Sequence, residues 1–225
     1  MEKSILLSIR PEWVAKILNG EKTIEIRKKF PKDYVGWVYI YCTKGKEQCL
    51  VRNNINGTYH MKFCYWDGLE SNLDDRVVAR FWCDRIDKLE VEFYKNEPLY
   101  STDSAYQNIK RVCLEQLEDC DYDEDLCDRD TLYTNEIDEC EEKDNKFLQQ
   151  TCLTGKELQK YFSGCDVGYA IHISKLEIFK KLRYLHSFYK PNSSKYKDEY
   201  DSKKFRQVFG INRAPQNYCY IEEEE

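Results

Sequence analysis

Residues 4–10 (Ser-Ile-Leu-Leu-Ser-Ile-Arg) form a short, nearly continuous apolar run, the pattern of a buried strand. Pro11 then stands where the first residue of a helix tolerates a missing amide hydrogen. Trp13, Val14, Ile17 and Leu18 fall on one stripe at helical spacing, and Asn19-Gly20 supplies the residue types that end helices in a left-handed cap. A short helix over 11–19 is therefore predicted. In residues 22–28 the pattern changes to alternation, with Ile24 and Ile26 on one face and Thr23, Glu25 and Arg27 on the other, so a half-buried strand with a polar face should follow.

Further on, residues 36–43 read as a strand, and 76–93 as one long or two consecutive strands rich in β-branched and aromatic side chains. A Gly- and Asn-containing connection separates them. Residues 98–153 break the strand pattern and read as a partly helical insertion within a single domain spanning 1–225. Thr154 and Glu157 have the spacing of a capping box, which predicts a helix over 154–163. Strand character returns at 167–179 and again at 217–221.

Charge sharpens this division. The formal net charge is -6, but residues 115–144 hold fifteen Asp or Glu against Arg129 and Lys143, and Glu222 to Glu225 add four more negative charges. With both segments set aside, the remaining sequence carries +11. An acidic overall balance thus conceals a basic body to which a polyanion could bind. No apolar run approaches the roughly 18 residues of a spanning helix, and Ile5-Leu6-Leu7 is too short for a signal-peptide core, so a cytoplasmic protein with no membrane partner is expected. The eleven cysteines are odd in number, and Cys42, Cys64, Cys83 and Cys219 sit among apolar residues; reduced thiols are the expectation.

The stretch most informative about chemistry is Gly20-Glu21-Lys22-Thr23-Ile24-Glu25-Ile26-Arg27, preceded by Leu7-Ser8-Ile9-Arg10-Pro11 and followed by a Trp-Val-Tyr-Ile-Tyr strand. The pattern Gly-x-Lys-x-x-Glu-x-Arg after a short helix resembles the signature of the ASCH family of the PUA-like superfold. Gly168-Tyr169-Ala170-Ile171-His172-Ile173 and Arg213-Ala214-Pro215-Gln216-Asn217-Tyr218-Cys219-Tyr220 are similar to the late strands of many members, including ones from phage genomes. The resemblance implies an α+β fold: a PUA-like mixed β-barrel with peripheral helices and a cleft at the helix-to-strand turn, where Lys22, Glu25 and Arg27 would lie. From spacing alone Glu25 and Arg27 read as an ordinary surface pair worth about 0–1 kcal/mol; the resemblance makes them site residues. By strict alternation Lys22 shares the Ile24 face, so it reaches a cleft only if it belongs to the turn. Ser8 and Lys44 at strand ends are weaker ligand-binding candidates, Arg213 a further polar contact, and Trp37 and Tyr218 candidates for stacking.

The chemistry of these groups suits RNA or a nucleoside. Arginine forks onto phosphate, lysine attracts it as a point charge, and glutamate accepts hydrogen bonds from base amino groups. Residues 184–213 interleave Lys190, Lys195, Lys197, Lys203, Lys204, Arg206 and Arg213 with Phe188, Tyr189, Tyr196, Tyr200, Phe205 and Phe209, a mixture that also suits single strands but is more often ordinary packing. The resemblance implies an enzymatic alternative too, because some bacterial ASCH proteins are amidohydrolases acting on acetylated cytidine and others are described as ribonucleases. In that case Lys22 would polarise or attack and Glu25 would relay a proton, although those amidohydrolases have Thr where this chain has Glu25. A third reading is a protein partner engaged by the acidic surface of residues 115–144. No cofactor or metal is expected: alternation groups His172 with Ala170 and Ser174, His60 and His186 lack partners at metal spacing, and Cys113, Cys120 and Cys127 are seven apart where zinc sites use pairs two to four apart.

Overall fold

A computed structural model describes residues 3–63, 70–90, 146–165 and 167–223. The contacts divide the chain into two compact units, one comprising Met1–Thr23, Asp33–Ile86 and Ile171–Glu225 and the other Ile24–Lys32 and Asp87–Ala170. Most of the predicted acidic insertion, including all of residues 115–144, lies outside the described residues. Its final part belongs to the folded core, since residues 146–151 are helical and Phe147 is buried.

The first unit is built on a six-stranded mixed sheet ordered β10-β7-β3-β1-β12-β11, so the α+β class read from the sequence is observed. Strand β1 (Ser4–Ile9) lies parallel to β3 (Gly36–Cys42) and antiparallel to β12 (Tyr218–Glu223), while β7 (Arg76–Cys83) runs antiparallel to both β3 and β10 (Ser174–Arg183). β11 (Phe188–Tyr189) closes the edge beside β12. A parallel pair cannot be joined by a tight hairpin, and the crossover here carries α1 (Pro11–Leu18). Both sheet faces are covered. Leu6, Tyr39, Tyr41, Val77, Phe188, Ile211 and Ile221 make one core cluster, and the alternate residues Ile5, Leu7, Val38 and Ile40 are equally buried on the other face. Helix α1 lies on that second face, where burial, Asp74 and then Glu12 of α1 hold the Cys42 thiol well above its usual range.

The connection expected between residues 43 and 76 proves to be a second sheet, ordered β5-β4-β6, of Gln48–Asn53 (β4), Tyr59–Phe63 (β5) and Glu70–Asn72 (β6). Its Asn and Gly residues form the hairpin loop: Asn53 Oδ1 accepts from Ile55 and Asn56 amides, and Gly57 takes φ 75°. Asn19 does not adopt the left-handed conformation; Gly20 does, at φ 77°. The Asn19 amide instead grips β5, donating to Tyr59 O at 2.8 Å and accepting from Tyr59 N at 3.1 Å.

A third sheet has the order β2-β9-β8, from Ile24–Arg27 (β2), Val167–His172 (β9) and Ile86–Glu90 (β8). Ile24, Ile26 and Ala170 pack with Leu89, Phe147, Leu158 and Phe162 to form the core of the second unit. Helix α2 (Gly155–Phe162) supplies the last two, and the capping box at its start is formed: Glu157 N donates to Thr154 Oγ1 and Thr154 N to Glu157 Oε2. A further helix, Ser202–Phe209 (α3), lies outside the predicted elements and is capped by Asp201, which accepts from Lys203 N and Lys204 N.

Candidate functional site

Lys22 is positioned by the end of α1. After Gly20 the chain folds back so that Glu21 N and Lys22 N both donate to Lys16 O, at 2.9 and 3.1 Å, and β2 begins only at Ile24. Lys22 therefore belongs to the turn, the condition on which its role depends. It is only 3% exposed, and its ammonium lies 5.4 Å from the centroid of the Trp13 ring, which the Lys16 ammonium approaches at 5.0 Å. An ammonium so withdrawn from water needs compensation, and the electron-rich ring face supplies part of it.

In the second unit the polar face of β2 is not the solvated face that alternation predicts. Ile24 and Ile26 enter the core as expected, but Glu25 is buried too, and Arg27 Nη2 meets Glu25 Oε1 at 3.0 Å with side-chain exposures of only 12% and 8%. The pair is thus a buried ion pair rather than a surface one. Each partner sits where leaving the other alone would be costly.

Tyr161, at the end of α2, stands within electrostatic reach of both. Burial raises its phenol pKa; Glu25 reinforces that shift, while Arg27 and a hydrogen bond from the Lys28 backbone oppose it. The residue remains 39% exposed, and its ring lies edge-on to buried Phe162 at 5.3 Å, with the Lys28 ammonium 5.5 Å from its centroid. Lys28 Nζ also donates to Ser163 O at 3.5 Å. Sequence reasoning missed Tyr161. The available signal was that Leu158 and Phe162, four apart, account for the buried stripe of α2 and leave an adjacent aromatic that the core does not absorb.

The other candidates distribute over the six-stranded sheet. Trp37 projects from the Tyr39 face, opposite to the one α1 covers, and is packed by the Arg80 guanidinium at 4.1 Å and by Trp82 edge-on at 5.4 Å. Ser8 pairs with Tyr41 on this same face. Tyr218 pairs with Leu7 and projects from the α1 side, edge-on to Tyr220 at 6.0 Å. Trp37 and Tyr218 are therefore not brought together. Lys44 is exposed in the loop after β3, whose Gly45 amide is held by Asp74 at 2.9 Å. Arg213 is exposed before β12 and lines an open pocket with Lys190 and Tyr220. Among the described residues no three His, Cys, Asp or Glu side chains could hold a metal ion, and no helix is long and apolar enough to cross a membrane.

No protein-family model matches the chain, and no curated protein does. Three solved structures are similar to it, each covering 98% of this chain: the ASCH protein from Zymomonas mobilis (12% identity, 88% of that chain, TM-score 0.44), its Tyr-to-Phe variant (11%, 91%, 0.45) and its Ser-to-Ala variant (12%, 89%, 0.44).

Proposed function

We propose that the chain binds RNA or a nucleoside through Glu25 and Arg27 of its Gly-x-Lys-x-x-Glu-x-Arg stretch. The observation that carries this reading is the buried Glu25–Arg27 pair beside the half-exposed Tyr161 ring. Ordinary strand faces leave such a pair in water; here the ionic groups are held in a desolvated position where each hydrogen bond to a ligand counts for more. Glu25 accepts from a base amino group, Arg27 donates to carbonyl or phosphate oxygens, and Tyr161 offers a ring face for stacking, a contact worth about 1–3 kcal/mol per base. Lys28 adds a cation beside that ring.

The test is a titration of wild type, Glu25→Gln and Tyr161→Ala against short RNA, short DNA and a panel of modified nucleosides, at two salt concentrations. Saturable binding that weakens at least tenfold in both folded variants supports the reading. Binding that both variants leave intact, or indifference of the wild type to every ligand, overturns it.

The burial of Lys22 at the end of α1 favours hydrolysis as a second reading, in which that side chain polarises or attacks the substrate. Hydrolysis of acetylated cytidine that disappears in Lys22→Ala supports it, and unchanged turnover in that variant removes it.

A further inference from the structure

Lys190, Pro191, Gly210, Ile211, Asn212, Arg213, Pro215, Cys219 and Tyr220 line an open pocket of about 710 Å³ within the first unit, and Lys22, Glu25 and Arg27 are not among its lining residues. Its walls are tied together by the backbone. Lys190 N donates to Phe209 O at 2.9 Å, Ile211 N donates to Phe188 O at 2.8 Å, and Tyr189 and Gly210 form a bridge. Glycine at 210 fits the end of α3, because a Cβ there would stand 2.4 Å from Arg206 O.

The lining contains two cations and no carboxylate. Arg213 is exposed and, among the described residues, has no hydrogen-bond or ion-pair partner. The negative end of α3 also points this way, but its carbonyls are already engaged: Gly210 N donates to Arg206 O, Asn212 Nδ2 to Gln207 O at 3.4 Å and Lys190 Nζ to Val208 O at 3.0 Å. That bond uses one of three ammonium hydrogens and leaves two for a ligand. The nearest carboxylate along β12, Glu222, is committed to Asn192 N, Ser193 Oγ and Ser194 N. The field left in the pocket favours an anion.

Size and wall chemistry narrow the class. The volume lies within the roughly 300–1,000 Å³ of small-molecule sites, well above what a bare oxyanion needs. Pro191, Ile211 and Pro215 supply apolar wall. The Cys219 thiol, its pKa pushed by burial to about 11, presents a neutral surface at physiological pH.

We infer that this pocket is a second ligand site, distinct from the signature residues, that takes a phosphate monoester, with the phosphate on Arg213 and Lys190 and the esterified group against Pro191, Ile211 and Pro215. The shared chemistry is that of a free nucleoside monophosphate and of the phosphorylated end of a nucleic-acid strand.

Calorimetric titrations with AMP, UMP, inorganic phosphate and a short oligonucleotide with or without a 5′-phosphate separate these sources. AMP or UMP binding that Arg213→Ala weakens at least tenfold at an unchanged melting temperature, and that Arg213→Lys partly restores, supports the site; a preference for the phosphorylated oligonucleotide over the mononucleotides assigns it to a strand end. Photocrosslinking with 8-azido-AMP locates the ligand independently, and a label on peptides containing Lys190 or Ile211 is expected. A label confined to residues 22–28 or Tyr161 would overturn this inference while supporting the signature reading. Absence of saturable binding by every phosphate monoester, or affinity unaltered in Arg213→Ala, also overturns it.

Discussion

Replacing Arg27 with methionine keeps most of the side-chain volume and removes the guanidinium. The Glu25 carboxylate, 8% exposed and 3.0 Å from that group, then loses this ionic contact. Breaking a buried pair from one side costs about 3–5 kcal/mol, whereas an exposed pair costs about 0–1 kcal/mol. Because Arg27 retains 12% exposure, some water reaches the pair, and the lower end, about 3 kcal/mol, is expected. Glu25→Gln combined with Arg27→Met removes both charges of this pair and should be more stable than Arg27→Met alone. The coupling from the full double-mutant cycle should be on the order of 2 kcal/mol. Urea unfolding measures this directly, with a lower midpoint and an unchanged slope marking a loss of native stability rather than a change in surface exposed on unfolding. An Arg27→Met cost below about 1 kcal/mol, or a double variant equal to the sum of the singles, would falsify the buried-pair argument and with it the main support for the signature site.

Two further outcomes test the scaffold around these sites. A Cβ on Gly168 would lie 2.1 and 2.3 Å from two carbons of the fully buried Phe162 ring, so Gly168→Ala should cost about 1–3 kcal/mol by thermal unfolding, with Phe162→Leu recovering part of the loss in the double variant; a Gly168→Ala protein as stable as wild type refutes that packing. Burial alone would raise the Glu222 carboxyl, but hydrogen bonds from the Asn192 and Ser194 amides and the Ser193 and Ser194 hydroxyls hold its pKa below the ordinary value. A depressed folded pKa gives stability that is present above the unfolded value and lost as pH falls through the folded one, so the advantage of wild type over Glu222→Gln should shrink as pH drops below about 4.3; an advantage that does not change with pH contradicts the assignment.

The local elements were largely legible in the sequence. Pro11, the Trp13-to-Leu18 stripe and Gly20 define α1 and its end within ten residues, Thr154 and Glu157 define the start of α2, and the apolar run of β1 is buried as its composition requires. The placement of Lys22 in a turn also follows from nearby residues, since the backbone bonds that fix it reach only to Lys16. The β4–β6 sheet was missed because its strands are short and the Asn-rich loop of a hairpin looks locally like a long connection. Tertiary structure alone decided what covers each polar face. Alternation in β2 separates Glu25 and Arg27 from Ile24 and Ile26, but whether that face meets water depends on what packs over it. Contacts in this region join residues as distant as Lys28 and Ser163, 135 positions apart, beyond the reach of any local pattern. Likewise, nothing near Trp37 or Tyr218 in sequence shows that they project from opposite faces of one sheet; that follows from the register in which β1, β3 and β12 pair. Periodicity is a property of neighbours along the chain, whereas desolvation and convergence of side chains are properties of neighbours in space, and it is the second kind that makes residues into a site.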